Sequence, residues 1–160
     1  MLIIADSSAL IALAECDMLP LLDVLFQEVR VPRPVFEECT LLGKPQANRL
    51  ATYLADKTID IDLSSYIFSI NGLGRGELHA MALYRYLNAD RFLVDDQRAK
   101  KVAILNGIST IGSVGILLRA KERGLIPAIK PPIAAIQRSG IYLSERVVKH
   151  VLELAGEDYP

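Results

Sequence analysis

Four groups of acidic side chains recur along this chain at positions that could share one site: Asp6, the pair Glu37-Glu38, Glu77, and the pair Asp95-Asp96. Two of them end apolar runs, LIIAD at Leu2–Asp6 and FLVDD at Phe92–Asp96. A hydrophobic strand that stops on an aspartate puts that carboxylate at the strand's carboxyl end, the edge where open α/β sheets bind ligands. Carboxylates crowded there repel one another and are costly to desolvate, and a divalent cation is the commonest remedy. The chemistry these residues could do is therefore phosphoester cleavage at a Mg2+ or Mn2+ site.

Each acid also has a structural reading. Asp6 could be a helix N-cap, although Ser7 and Ser8 could cap as well, and Ser8 could instead orient Asp6 or hold a metal-bound water. Glu37 and Glu38 fall in the first turns of a helix after Pro34, where acids favour the helix dipole without any function. Helix neighbours diverge by about 100°, so only one of the two can face the sheet edge. Glu77 opens another helix, but Gly74 and Gly76 clear side chains from around it, and Arg75 between them could touch a phosphate. One of Asp95 and Asp96 must cap the helix that begins QRAKK, which leaves the other free for a metal. Arg98, Lys100 and Lys101 read as a solvated face that lies next to the site, as do Arg119, Lys121 and Arg123. Gly112 to Gly115 open a helix and could bind an anion on their amides, or could allow tight packing. His79 and His150 have no partner motif and read as structural or surface residues.

The elements that must position these groups alternate between strand and helix. Leu2 to Ala5 is a buried strand by its continuous apolar run, followed by a helix to Glu15. Asp17 is expected to cap a helix with Pro20 in its first turn. Val29 to Val31 is a strand, and Pro32 and Pro34 start a helix broken by Gly43 and Pro45. Gln46 to Asp56 is a helix, and Ile59, Ile61 and Leu63 alternate as a half-exposed strand would. Ser64 to Gly76 is loop-like, and Glu77 to Asn88 is helical. The strand at Arg91 to Asp95 leads to a helix over Gln97 to Asn106, ended by Gly107. A strand at Ile108 to Ile111, a helix to Arg123, a helix from Pro131 to Ser139 and a helix capped by Ser144 complete the chain. This rhythm calls for a mostly parallel sheet covered on both faces.

The 160 residues suit one domain, and 51 % hydrophobic content is enough for a multilayer core. A net charge of -1 excludes a globally basic nucleic-acid binder, so any such partner must meet a local patch. Cys16 and Cys39 lack metal-ligand spacing and read as buried free thiols in a reducing, cytoplasmic setting. Asp6 interrupts the apolar start too early for a signal peptide, and no run is long enough to span a membrane. No phosphate-loop signature occurs, and no GxGxxG follows the first strand.

The segments IADSSALIALAE, VPRPVFEE, LGRGELHAMALY and FLVDDQRAKKVAILNGISTIGSVGILLRAKERGLI together resemble a PIN domain of the VapC-toxin type. They resemble in particular a bacterial and archaeal PIN-like branch described as predicted nucleic-acid-binding, which also carries a C-terminal extension. The resemblance implies a three-layer α/β/α fold with a central mostly parallel sheet. It implies a single domain over residues 1–160, with a core to about residue 126 and a helical extension over about 127–160. It further implies a pocket for one or two Mg2+ or Mn2+ ions and cleavage of RNA. On this resemblance Asp6, Glu38, Glu77 and Asp96 are the catalytic acids, and Asp6, Glu77, Asp95 and Asp96 supply metal ligands, the register after the strand favouring Asp96 while leaving Asp95 open. Ser8 takes the polar companion position, and substrate contact falls to Arg75, Arg98, Lys100 and Lys101 by adjacency. The partners implied are RNA, a small antitoxin protein and a second copy of the chain.

Three other readings compete. A PIN-like binding or scaffold protein without turnover would need the same fold. A receiver-like phosphorylation domain would need two acids after the first strand, where Ser7 and Ser8 follow Asp6 instead. A metal phosphatase for small substrates would need a narrow pocket.

Overall fold

The computed structural model describes residues 1–66 and 72–159. Its strands are β1 (Leu2–Ala5), β2 (Glu28–Pro32), β3 (Thr58–Ile59), β4 (Arg91–Leu93) and β5 (Thr110–Ile111). All pair in parallel, in the order β3-β2-β1-β4-β5. The helices among the described residues are α1 (Ser7–Glu15), α2 (Pro20–Leu25), α3 (Arg33–Cys39), α4 (Ala47–Leu54), α5 (Arg75–Tyr86), α6 (Gln97–Leu105), α7 (Ser113–Glu122), α8 (Lys130–Arg138) and α9 (Glu145–Leu154). A 3-10 turn occupies Ser64–Tyr66. Helices flank the sheet, so the architecture is the three-layer α/β one expected.

The order of the strands decides where a ligand can go. From β1 the chain steps outward through β2 to β3, then returns across β1 to place β4 on its other side. Such a reversal opens a crevice at the carboxyl ends of the two strands that flank it. Here those strands are β1 and β4, and the residues just beyond them are Asp6 and the Asp95-Asp96 pair. The pairing Ala5 to Leu93 sets this register, and the Asp6 amide donates to the Leu93 carbonyl at 2.8 Å. Ile3, Ile4, Ala5, Phe92 and Leu93 are fully buried. Successive residues of a strand point to opposite faces, so a central strand in a two-sided core must be apolar throughout.

Several expected elements shift. The strand expected over Ile59 to Leu63 is only two residues long, because Asp60 and Asp62 flank an exposed Ile61 and only Thr58 and Ile59 reach β2. Asp17 does not cap α2; it takes a left-handed backbone with φ 60° and pairs with Arg49, and the cap position of α2 is Leu19. The helix bearing Glu77 starts two residues earlier, at Arg75. Part of the loop expected over Ser64 to Gly76 lies at residues 67–71, outside the described residues. Cys16 and Cys39 are free and buried as expected, and burial pushes their thiols up to about 11 and about 12.

The C-terminal segment is fastened to the core. Glu157 Oε1 accepts from the Ile129 amide and from Lys121 Nζ, both at 2.7 Å, and its Oε2 accepts from the Lys130 amide at 3.0 Å. One carboxylate thereby holds the α8 N-terminus, the α7 C-terminal region and the end of the chain. Val148, Val151 and Leu152 bury the inner face of α9, which packs on α7. No helix among the described residues is long and apolar enough to cross a membrane.

Candidate functional site

Asp6 is the N-cap of α1, in place of Ser7 or Ser8, and is 1 % exposed. Its Oδ2 accepts from the Ser8 amide at 3.2 Å and from the Ser8 hydroxyl at 2.7 Å. Its Oδ1 is buried with no hydrogen-bond partner among the described residues. A buried, ionised and half-satisfied carboxylate is expensive, and the Asp6 carboxyl is held above its ordinary value. Burial is the main cause, opposed by the two Ser8 bonds and reinforced by the charge of Glu38.

Ser8 does more than orient Asp6. The Asp95 amide donates to the same hydroxyl oxygen at 3.0 Å, and the Asp96 amide lies at 3.4 Å from it. One serine therefore ties the end of β1 to the end of β4, where both acidic segments begin. A hydroxyl can donate once and accept twice, which is the set of bonds Ser8 makes here.

Glu77 lies in the first turn of α5, with Oε2 accepting from the Gly74 amide at 2.6 Å. Its carboxyl is also raised, first by burial and then by the charges of Asp6, Asp96 and Glu38, while the Gly74 bond opposes. Those charges place Asp6, Glu38, Glu77 and Asp96 in one electrostatic neighbourhood. Gly76 explains how Glu38 enters it. A Cβ on Gly76 would sit 2.8 Å from Glu38 Oε2 and 3.4 Å from Val35 Cγ2. The glycine leaves α3 and α5 close and gives the Glu38 carboxylate its space. Glu37, on the diverging face, instead pairs with Arg75 at 3.2 Å in an exposed position.

We expect Gly76→Ala to fold, because the obstructing atom is the end of a flexible side chain, and to lose about 10-fold or more in any activity that uses Glu38. That magnitude follows from what small misplacements of supporting groups cost. Melting and rate measured on the same preparation test it, and an unchanged rate would remove Glu38 from the site.

Asp95 and Asp96 divide the work at the end of β4. Asp96 caps α6 through Oδ1, which accepts from the Ala99 amide at 2.8 Å. Asp95 turns toward the start of α7, where its Oδ1 accepts from the Ser113 amide at 2.7 Å. A Cβ on Gly112 would lie 2.8 Å from that oxygen, so the glycine is the space Asp95 fills. Of the two readings open for Gly112 to Gly115, an anion site or tight packing, the structure favours packing: the anion at this helix start is the chain's own Asp95, and a Cβ on Gly115 would sit 3.0 Å from Ile111 Cγ1. Asp95 Oδ2 and Ser113 Oγ are both buried without partners among the described residues.

The basic residues are placed unevenly. Arg75 is engaged with Glu37, and Arg98 donates to the Gly72 carbonyl at 2.9 Å. Lys100 is half-buried beside Gly112 and Asp95, and Lys101 is exposed on α6. His79 hydrogen-bonds the Arg75 carbonyl one turn back at 2.8 Å, and His150 is exposed on α9.

The carboxylate set fits a hard divalent ion in two respects: every donor is oxygen, and Asp6 Oδ1 is a buried acceptor that nothing among the described residues satisfies. Against a fully assembled site stands the spacing, since no group of three or more His, Cys, Asp or Glu among the described residues converges closely enough to hold one ion.

A parallel sheet with Asp6, Asp95 and Asp96 just beyond its switch point defines an α/β domain with acids at its ligand-binding edge. A family model described as PIN domain matches residues 2–157, and the chain belongs to the PIN-domain family. No curated protein and no solved structure gives a match.

Proposed function

We propose that this PIN domain is a Mg2+- or Mn2+-dependent endoribonuclease, acting in the cytoplasm as the toxin of a toxin-antitoxin pair. The observation that carries the metal-dependent part is Asp6: a carboxylate 1 % exposed, with one oxygen unpartnered, among three further acids. Asp6, Glu38, Glu77 and Asp96 would hold the ion, some through water. When bound, such an ion lowers the pKa of a coordinated water and polarises the scissile phosphate. Ser8 keeps Asp6 Oδ2 occupied, so that Oδ1 is the oxygen offered to the pocket. Glu77 is steadied by the Gly74 amide and Asp96 by its capping bond. No side chain need act as nucleophile, and the nearby Cys39 thiol, pushed up to about 12, stays protonated at neutral pH.

The test is cleavage of a mixed single-stranded RNA with Mn2+ or Mg2+, against the same reaction in EDTA. Cutting that needs the metal is expected, and metal-independent cutting would rule the mechanism out. A second reading, a PIN-like RNA-binding or scaffold protein with little turnover, draws on the dispersed spacing of the acids. Tight RNA binding without cutting at any metal concentration would favour it. The toxin role further predicts inhibition by a small protein partner, and homodimerisation is the oligomeric state we propose.

A further inference from the structure

A groove of about 370 Å3 runs between the starts of α6 and α7 and the segment from Ile141 to Leu154. Asp95, Lys100 and Gly112 lie at one end, and Tyr142, Val147 and His150 lie along the other wall. The Asp95 end lies next to Asp6, because the Asp95 amide and Asp6 Oδ2 share the Ser8 hydroxyl. Beyond Val147 and His150 the groove opens into a wider hollow lined by Arg146, Lys149 and Glu153.

We propose that this groove is the binding track for single-stranded RNA on either side of the cleavage point. Tyr142 would act as a stacking platform, and Lys100, Arg146 and Lys149 as phosphate contacts. The proposal rests on the nuclease reading above and assigns a task to the C-terminal segment.

Three observations favour this occupant. Tyr142 is 86 % exposed although it lines a groove with an apolar floor. An aromatic ring left in water at such a place offers its face to an unstacked base, and stacking does not depend on which base it is. Cations then recur along the track, with Lys100 at the inner end and Arg146 and Lys149 at the outer end. The acids present are Asp95, whose Oδ1 is turned onto the Ser113 amide, and Glu153 at the far end. Finally, the groove is lined by apolar side chains including Ile141, Leu143, Val151 and Leu154, and the hollow that adjoins it at Val147 and His150 is lined by Arg146, Lys149 and Glu153, so an apolar surface for bases is continued by charge for phosphates. Asp95 already compensates the α7 N-terminus, so phosphate recognition falls to side chains and not to helix amides.

Tyr142, Arg146 and Lys149 are exposed, so their replacement leaves the core untouched, and a melting curve checks this. The experiment measures anisotropy of a fluorescein-labelled 12-nucleotide single-stranded RNA and of the same sequence as a blunt duplex, both in EDTA. Tyr142→Ala should weaken the single strand about 10-fold and leave the duplex within about 2-fold, since duplex bases are already stacked. Arg146→Ala with Lys149→Ala should lower the slope of log affinity against log salt by about 1.4, the value for two single-strand phosphates. Photocrosslinks from 4-thiouridine should map to the peptide containing Tyr142. If the wild type binds RNA but the variants bind equally well and crosslinks fall elsewhere, the groove assignment is overturned while the nuclease reading stands. A protein partner held at Tyr142 with RNA affinity unchanged overturns it in the same way. If the wild type neither binds RNA in EDTA nor cuts it with Mn2+, the nuclease reading falls and the groove assignment falls with it.

Discussion

Asp6→Asn is expected to lose about 100-fold or more in metal-dependent cleavage while melting at a higher temperature than the wild type when both are metal-free. The loss follows from charge: partners that merely support a metal ligand are worth 10–100-fold, and Asp6 is proposed to be a ligand itself. The gain follows from burial. Asparagine caps a helix as well as aspartate does and can accept the same two bonds from Ser8, so α1 keeps its start. What disappears is an ionised group that is 1 % exposed, half-satisfied and close to Glu38. The pH dependence follows with a definite sign. The Asp6 carboxyl is raised in the folded state above its ordinary value of 3.8, so the native protein binds more protons than the unfolded chain in that window. Stability of the metal-free wild type therefore falls as pH rises through it, and the Asp6 contribution to that slope vanishes in the variant. Adding Mn2+ should raise the melting midpoint of the wild type and not of the variant, because only the wild type has the charge to neutralise. A variant that cuts at the wild-type rate, or a wild type indifferent to Mn2+ in melting, would sink the assignment.

The strain at Asp6 also shows what the sequence could and could not reveal. The apolar runs before Asp6 and Asp95 marked β1 and β4 because a strand covered on both faces must be apolar throughout, and that requirement is local. The parallel sheet followed from the alternation of elements, whereas the strand order that puts the switch point between β1 and β4 did not. The short β3 was not legible: Ile59, Ile61 and Leu63 alternate correctly, but whether an alternating segment pairs depends on the length of the neighbouring strand it meets. Which serine or aspartate caps a helix was also open, since Asp6, Ser7 and Ser8 are all competent and only the register of β1 against β4 selects among them. The choice between Glu37 and Glu38 was narrowed by helix geometry, and in the structure Glu38 lies against Gly76 while Glu37 pairs with Arg75. The residues around Asp95 were the least legible, because their arrangement is set by a contact across 18 positions with Ser113, and spacing carries no record of such a contact.

Asp95 and Asp96 should separate cleanly when the wild type is set beside one change at Asp96 and two at Asp95. Asp96→Asn keeps an N-cap for α6 and removes a charge from the neighbourhood of Glu77, so it should melt like the wild type and cleave about 100-fold more slowly. Asp95→Ala leaves the Ser113 amide without its acceptor, on a residue that is 0 % exposed. An unsatisfied buried donor costs about 1–3 kcal/mol. For a domain of this size that lowers the melting midpoint by roughly 2–12 °C. Asp95→Asn retains an oxygen for Ser113 in the same place and should recover both stability and most of the activity. The rival assignment draws on Asp95 Oδ2, which like Asp6 Oδ1 is buried without a partner. If Asp95 is the metal ligand, its asparagine variant will be stable and inactive, and Asp96→Asn will cut normally. The four rates and four melting curves therefore decide which carboxylate at the end of β4 serves the ion and which one serves the fold.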